Sequence, residues 1–162
     1  MTARSDARNG EMPMRPFKKI LVPVDFSPHS DEAIRTVADL ARRYEASVTL
    51  AHVYEVVAYA LPEGYVLQTA TQLADMLTEF SKLLAAAKAK AEAAGAPRVE
   101  TIQLQGSPAW QIVDFATSKG FDLIVMGTHG RTGLKHALIG SVAERVVRLA
   151  PCPVLTVRAP EK

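Results

Sequence analysis

The sequence predicts an α/β domain built on a doubly wound parallel sheet, and three observations carry that expectation. Five short runs of strand character recur along the chain, and a segment with helical apolar spacing lies between each successive pair. The first run, Lys18 to Val24 (KKILVPV), is apolar without alternation, as expected of a strand buried on both faces. Unusual residues follow the first and fourth runs, at Asp25-Phe26-Ser27-Pro28 and at Gly127-Thr128-His129-Gly130. In a five-stranded sheet of order 3-2-1-4-5 with helices on both faces, those two loops meet where the winding reverses. Ligands of such sheets bind there, beyond the carboxyl ends of the strands.

Each element has a local reason. Residues 1–16 are polar and aperiodic, with Gly10, Pro13 and Pro16, and read as a mobile tail before a single domain over 17–160. After the first strand, Ser27-Pro28 suits an N-cap followed by proline at the first helical position. Ala33, Ile34, Val37, Ala38 and Ala41 then mark the apolar face of a helix to about Tyr44. Ser47 to Tyr54 (SVTLAHVY) is the second strand, and residues 55–70, punctuated by Pro62 and Gly64, read as a loop. A long helix spans about 71–94, with Leu73, Met76, Leu77, Phe80, Leu83, Leu84 and Ala87 on one face, and Gly95 and Pro97 stop it. Val99 to Gln105 is the third strand. Ser107-Pro108 repeats the cap-plus-proline start of a helix running to Gly120. Asp122 to Met126 is the fourth strand, Ser141 to Leu149 the last helix and Pro153 to Val157 the fifth strand.

Composition narrows the function classes. At 162 residues, 48% hydrophobic and 22% charged, the chain suits one globular domain with a sizeable core. No apolar run approaches the roughly 18 residues of a membrane span. The basic N-terminus lacks an apolar signal core, and a single cysteine, Cys152, allows no internal disulfide, so a cytoplasmic protein is expected. Net charge is +2, but residues 1–19 hold five basic against two acidic side chains, leaving about −1 for the rest. A domain without excess positive charge lacks the footprint of nucleic-acid binding.

The chemistry concentrates in Gly127, Gly130, Gly140 and Ser141, spaced G-x2-G-x9-G-S between a strand and a helix start. This is neither a Walker loop nor the dinucleotide fingerprint. Amides near Gly130 and from Gly140 to Val142, with the Ser141 hydroxyl, would suit a di- or triphosphate. The competing reading makes the glycines turns and Ser141-x-x-Glu144 a capping box, whose carboxylate would close the site. His129, Arg131, Lys135 and His136 add cationic or donor groups, although solvated loop charges are the commoner outcome. His29, His52, His129 and His136 show no metal-ligand spacing, and His52, inside an apolar strand, reads as a satisfied core histidine. Asp25, Ser27 and His29 have the residue types of a hydrolase triad but lie on one turn, and the G-x-S-x-G elbow is absent.

KKILVPVDFS, TLAHVY, FDLIVMGTHGRTG, LIGSVAERVV and CPVLTVR, together with the glycine spacing, make the chain resemble the universal stress proteins of the nucleotide-binding kind, over about residues 17–158. The resemblance implies that the glycine loop, with Gly127, His129, Gly130, Arg131, Gly140, Ser141 and Val142, takes the phosphates and ribose of ATP. It implies that Asp25 meets the nucleoside end and that the Val53 backbone meets adenine. Pro23 and Val24 would form the floor and Met126 the wall. A carboxylate repels phosphate, so Asp25 is expected at ribose, at the base or on a shared Mg²⁺; the protein by itself offers no metal site. The family further implies a homodimer through strand 153–157. The expected function is stress-related sensing or regulation with slow ATP hydrolysis at most, and the sequence does not separate ATP from cyclic AMP. Two competing classes are a metal-dependent phosphohydrolase using Asp25 and an interaction module with a closed pocket.

Overall fold

The computed structural model describes residues 16–56, 59–61, 64–66, 69–129 and 139–160. The predicted tail lies outside this range apart from Pro16. The elements in chain order are β1 (Lys19–Pro23), α1 (Pro28–Tyr44), β2 (Ser47–Tyr54), β3 (Tyr59–Leu61), β4 (Gly64–Val66), α2 (Ala70–Ala93), β5 (Arg98–Gln105), α3 (Pro108–Lys119), β6 (Leu123–Gly127), α4 (Ser141–Leu149) and β7 (Val154–Val157). The main sheet is parallel with order β5-β2-β1-β6-β7, which is the predicted 3-2-1-4-5. The expected loop over 55–70 is corrected in part: β3 and β4 pair antiparallel as a short hairpin separate from the sheet. Strands of three residues give too short a pattern to register as periodicity.

Why β1 reads as unbroken apolar sequence is plain from its surroundings. Ile20 and Val22 pack with Ala33, Ile34, Val37 and Leu84 on the α1/α2 face, while Leu21 packs with Ala51, Ile112 and Val146 on the α3/α4 face. All three β1 residues are fully buried, and burying an aliphatic side chain of this size is worth about 1.5–3 kcal/mol. At the start of the strand, the Asp122 carboxylate accepts from the N–H groups of Lys18 and Lys19 at 2.7 and 3.1 Å. It thereby ties β1 to the turn that opens β6.

Helix starts follow the expected chemistry in part. Ser27 caps α1, its Oγ accepting from Ser30 N–H, with Pro28 at the first turn. Ser107 occupies the N-cap of α3 without a side-chain cap bond. A capping box does form, at Thr69 and Gln72 on α2, where none was expected. Of the predicted α2 face only Leu84 and Ala87 are buried, joined by Ala91, and Leu83 is exposed. The first turns of α2 are covered only partly, so apolar spacing there overstates the burial.

Candidate functional site

The site grows from the ends of the two central strands. β1 stops at Pro23 and the chain turns at once: Phe26 adopts a left-handed backbone, φ 63°, rare for a bulky residue. Asp25 sits inside this turn. Its Oδ1 accepts from Ser27 N–H at 3.1 Å and from the buried Ser30 hydroxyl, and its own N–H donates to Ser30 Oγ at 3.0 Å. The carboxylate therefore organises the start of α1 while also lining the cavity.

β6 ends beside it at Gly127, which passes so close to α1 that a Cβ there would stand 2.7 Å from His29 Cβ. Glycine is required by proximity, since its φ is unexceptional. Thr128 then joins three segments. Its N–H donates to Val157 C=O of β7 at 2.8 Å, and its C=O accepts from Gly140 N–H at 2.6 Å. The chain thus leaves at Thr128 and returns to it at Gly140, closing the glycine loop at its neck. Thr128 Oγ1 lies 3.0 Å from His129 Nδ1, and the rings of His129 and His29 stand 5.4 Å apart. His29 Nδ1 accepts from Ala159 N–H at 2.9 Å, and Ser27 is spent on capping, so the Asp25-Ser27-His29 group serves the helix start and forms no relay.

Gly140 occupies the N-cap position of α4, and no side-chain bond caps that helix. This corrects the capping-box alternative: Ser141 is the first helical residue, and Glu144 carries its carboxylate forward to Arg148 at 3.2 Å. The Gly140 N–H is already spent on the Thr128 carbonyl, and the backbone there is extended, as an N-cap requires. Among the described residues, nothing is bonded to the first amides of α4.

What lies in front is a cavity of about 260 Å³. Pro23, Val24, Asp25, Val53, Met126, Gly127, His129, Gly140, Ser141 and Val142 all line it, so the two predicted loops do face each other. Gly130 and Arg131, like Lys135 and His136, lie outside the described residues. Sequence reasoning missed Ser30, Ala51, Thr128 and Ile139, and also Pro108 and Ile112 of α3. The signal for Pro108 was available: the turn after the third predicted strand opens at the same end of the sheet.

Among the described residues no three His, Cys, Asp or Glu side chains gather as a metal site. No helix among them is long and apolar enough to cross a membrane. Cys152 is half-buried, and burial first, then the Asp122 charge, push its thiol pKa up, which keeps it protonated and unreactive near neutrality.

Fold and crevice together define an open, doubly wound α/β domain with its cavity at the topological switch point, where such sheets hold their ligands. Residues 16–158 match the Universal stress protein family, and the chain belongs to that family. Universal stress protein MJ0531 of Methanocaldococcus jannaschii is 41% identical over 156 residues, taking in 96% of this chain and 88% of that protein. Universal stress protein YxiE of Bacillus subtilis is 36% identical over 88% of this chain and 99% of its own. Among solved structures, universal stress protein UspA from Lactobacillus plantarum superposes with a TM-score of 0.76 at 28% identity, covering 89% of this chain and 99% of that one. A universal stress protein in complex with cAMP gives a TM-score of 0.67 at 25% identity, covering 90% and 100%.

Proposed function

We propose that this chain binds an adenine nucleotide, ATP foremost, in the cavity between the Asp25 and Gly127 turns, and acts as a regulatory protein of the stress response. The observation that carries the proposal is the uncapped start of α4 opening into that cavity. Its amides and the helix dipole offer a place for phosphate oxygens, and Glu144 is turned away. Apolar walls from Val24, Val53, Met126 and Ile112 suit a base at the other end. Cyclic AMP is the second reading, supported by the related protein whose structure holds it.

ATP hydrolysis, where it occurs, is slow in this reading. Asp25 Oδ1 is already engaged by Ser27 and Ser30, which leaves it poorly placed to take a proton from water. A Mg²⁺ ion would arrive with the phosphates, meeting Asp25 at most. We further propose that β7, an edge of the sheet, pairs with β7 of a second copy. Exposed Leu155 on that strand, with exposed Val147 and Leu149 on the adjoining α4, supplies the apolar surface.

Nucleotide released on denaturing the purified protein, followed by calorimetric titration with ATP and cAMP, tests the ligand. Stoichiometric ATP binding supports the first reading and tighter cAMP binding the second. Absence of heat with either nucleotide at millimolar concentration would remove the nucleotide function altogether.

A further inference from the structure

Two hydrogen bonds fix which way the backbone of β2 faces near its end. Val24 N–H donates to Ala51 C=O at 2.8 Å, so Ala51 faces β1. Gly106 N–H donates to Tyr54 C=O at 2.9 Å, so Tyr54 faces the β5 side. Backbone groups alternate sides along a strand in a parallel sheet. Val53 therefore turns its N–H and C=O toward β1, yet the β1 register ends at Pro23 opposite Ala51.

One more step of the ladder would bring the Val24 carbonyl onto Val53 N–H. That carbonyl is instead held by His52, whose Nδ1–H donates to it at 2.8 Å. The His52 side chain is almost fully buried, on the side of β2 opposite to the cavity-lining Val53. Its ring packs 4.6 Å from Phe26 and 4.3 Å from Phe80 of α2. Phe26 is the left-handed residue of the turn, so the same aromatic group secures the strained backbone that swings the chain away from β2.

We infer that His52 is a positioning residue that keeps the β1–β2 ladder from closing, so that Val53 N–H and C=O stay open as a donor–acceptor pair for the edge of a bound base. His52 does not line the cavity and acts through Val24. The inference rests on the adenine-nucleotide reading and adds to it the device that exposes the base-reading edge. It makes a histidine that reads as core filler responsible for ligand affinity.

Amide hydrogen exchange followed by NMR, with ATP titrations, tests it. In nucleotide-free wild-type protein the Val53 amide exchanges fast while Ala51 is protected. In His52→Leu the freed Val24 carbonyl recaptures Val53: its protection rises at least tenfold while ATP affinity falls at least tenfold. His52→Asn, whose side-chain amide places an N–H where Nδ1–H stood, keeps both properties near wild type. A residue that only packs the core would show the opposite sign, with protection at Val53 falling alongside global stability. Strong Val53 protection in the nucleotide-free wild type overturns the inference without any variant, which covers the case of His52→Leu failing to fold. His52→Leu that binds ATP as wild type does overturns it and leaves the nucleotide reading standing. A wild-type protein that binds neither ATP nor cAMP overturns both.

Discussion

Gly127 shows how a single missing methyl group sets the width of the cavity. A Cβ there would meet His29 Cβ at 2.7 Å and the His29 carbonyl carbon at 3.0 Å, so Gly127→Ala must push the first turn of α1 away from β6. Overpacking of this kind costs roughly 1–3 kcal/mol. Urea unfolding should register that loss, and ATP titration should weaken, because both cavity walls move. Residues of this sort were legible in the sequence as candidates, glycines and an aspartate right after strands, though turns and a helix-start acid accounted for them equally well until the resemblance was added. His52 was not, since a histidine in an apolar strand is ambiguous until its partner is known, and Val24 C=O is a backbone atom that no side-chain pattern reports. Val53 was assigned to the base by resemblance; the structure shows it lining the cavity, and in the proposed reading the parity of β2 turns its backbone toward the ligand.

The start of α4 is the element on which the proposed function turns. Gly140 has φ −74° and ψ 157°, extended backbone that any residue adopts. Gly140→Asp should therefore be tolerated, and its carboxylate would cap the amides now facing the cavity. An aspartate cap exceeds glycine by a few tenths of a kcal/mol, so thermal unfolding should move slightly upward while ATP binding drops at least tenfold. Unchanged ATP affinity in this variant would place the phosphates elsewhere. Glu144→Ala serves as its counterpart: with Glu144 paired to Arg148, affinity should stay within about twofold, exposed pairs of this kind being worth little. The competing capping-box reading was reasonable from S-x-x-E spacing, and it failed because the N-cap fell one residue earlier. The helix α1, carried by a periodic apolar face, and the five strands, carried by short apolar or alternating runs between helices, were legible within a residue or two. The β3–β4 hairpin was not, being too short to show a period.

For the whole molecule, the edge at β7, unpaired on its outer side among the described residues, is the feature with the clearest consequence for assembly. Sedimentation of the wild-type protein should show a dimer, and Leu155→Arg, which sets like charges against each other across a paired edge, should give a monomer of similar stability. A monomeric wild type would mean that the edge is left to another partner. The strand order carries a different consequence, one of timing. β1 is made first yet lies in the middle of the sheet, and its second neighbour, β6, is 103 residues further along at the Ile20–Leu123 pairing. During synthesis the emerging chain can join β1 to β2, but one flank of a strand whose Ile20, Leu21 and Val22 are fully buried in the finished fold stays bare until β6 has left the ribosome. The Asp122 carboxylate that grips Lys18 and Lys19 arrives only with that late segment. The nascent protein thus passes through an interval in which a strand that ends up buried has one edge unpaired, and chaperone capture or premature aggregation would strike there.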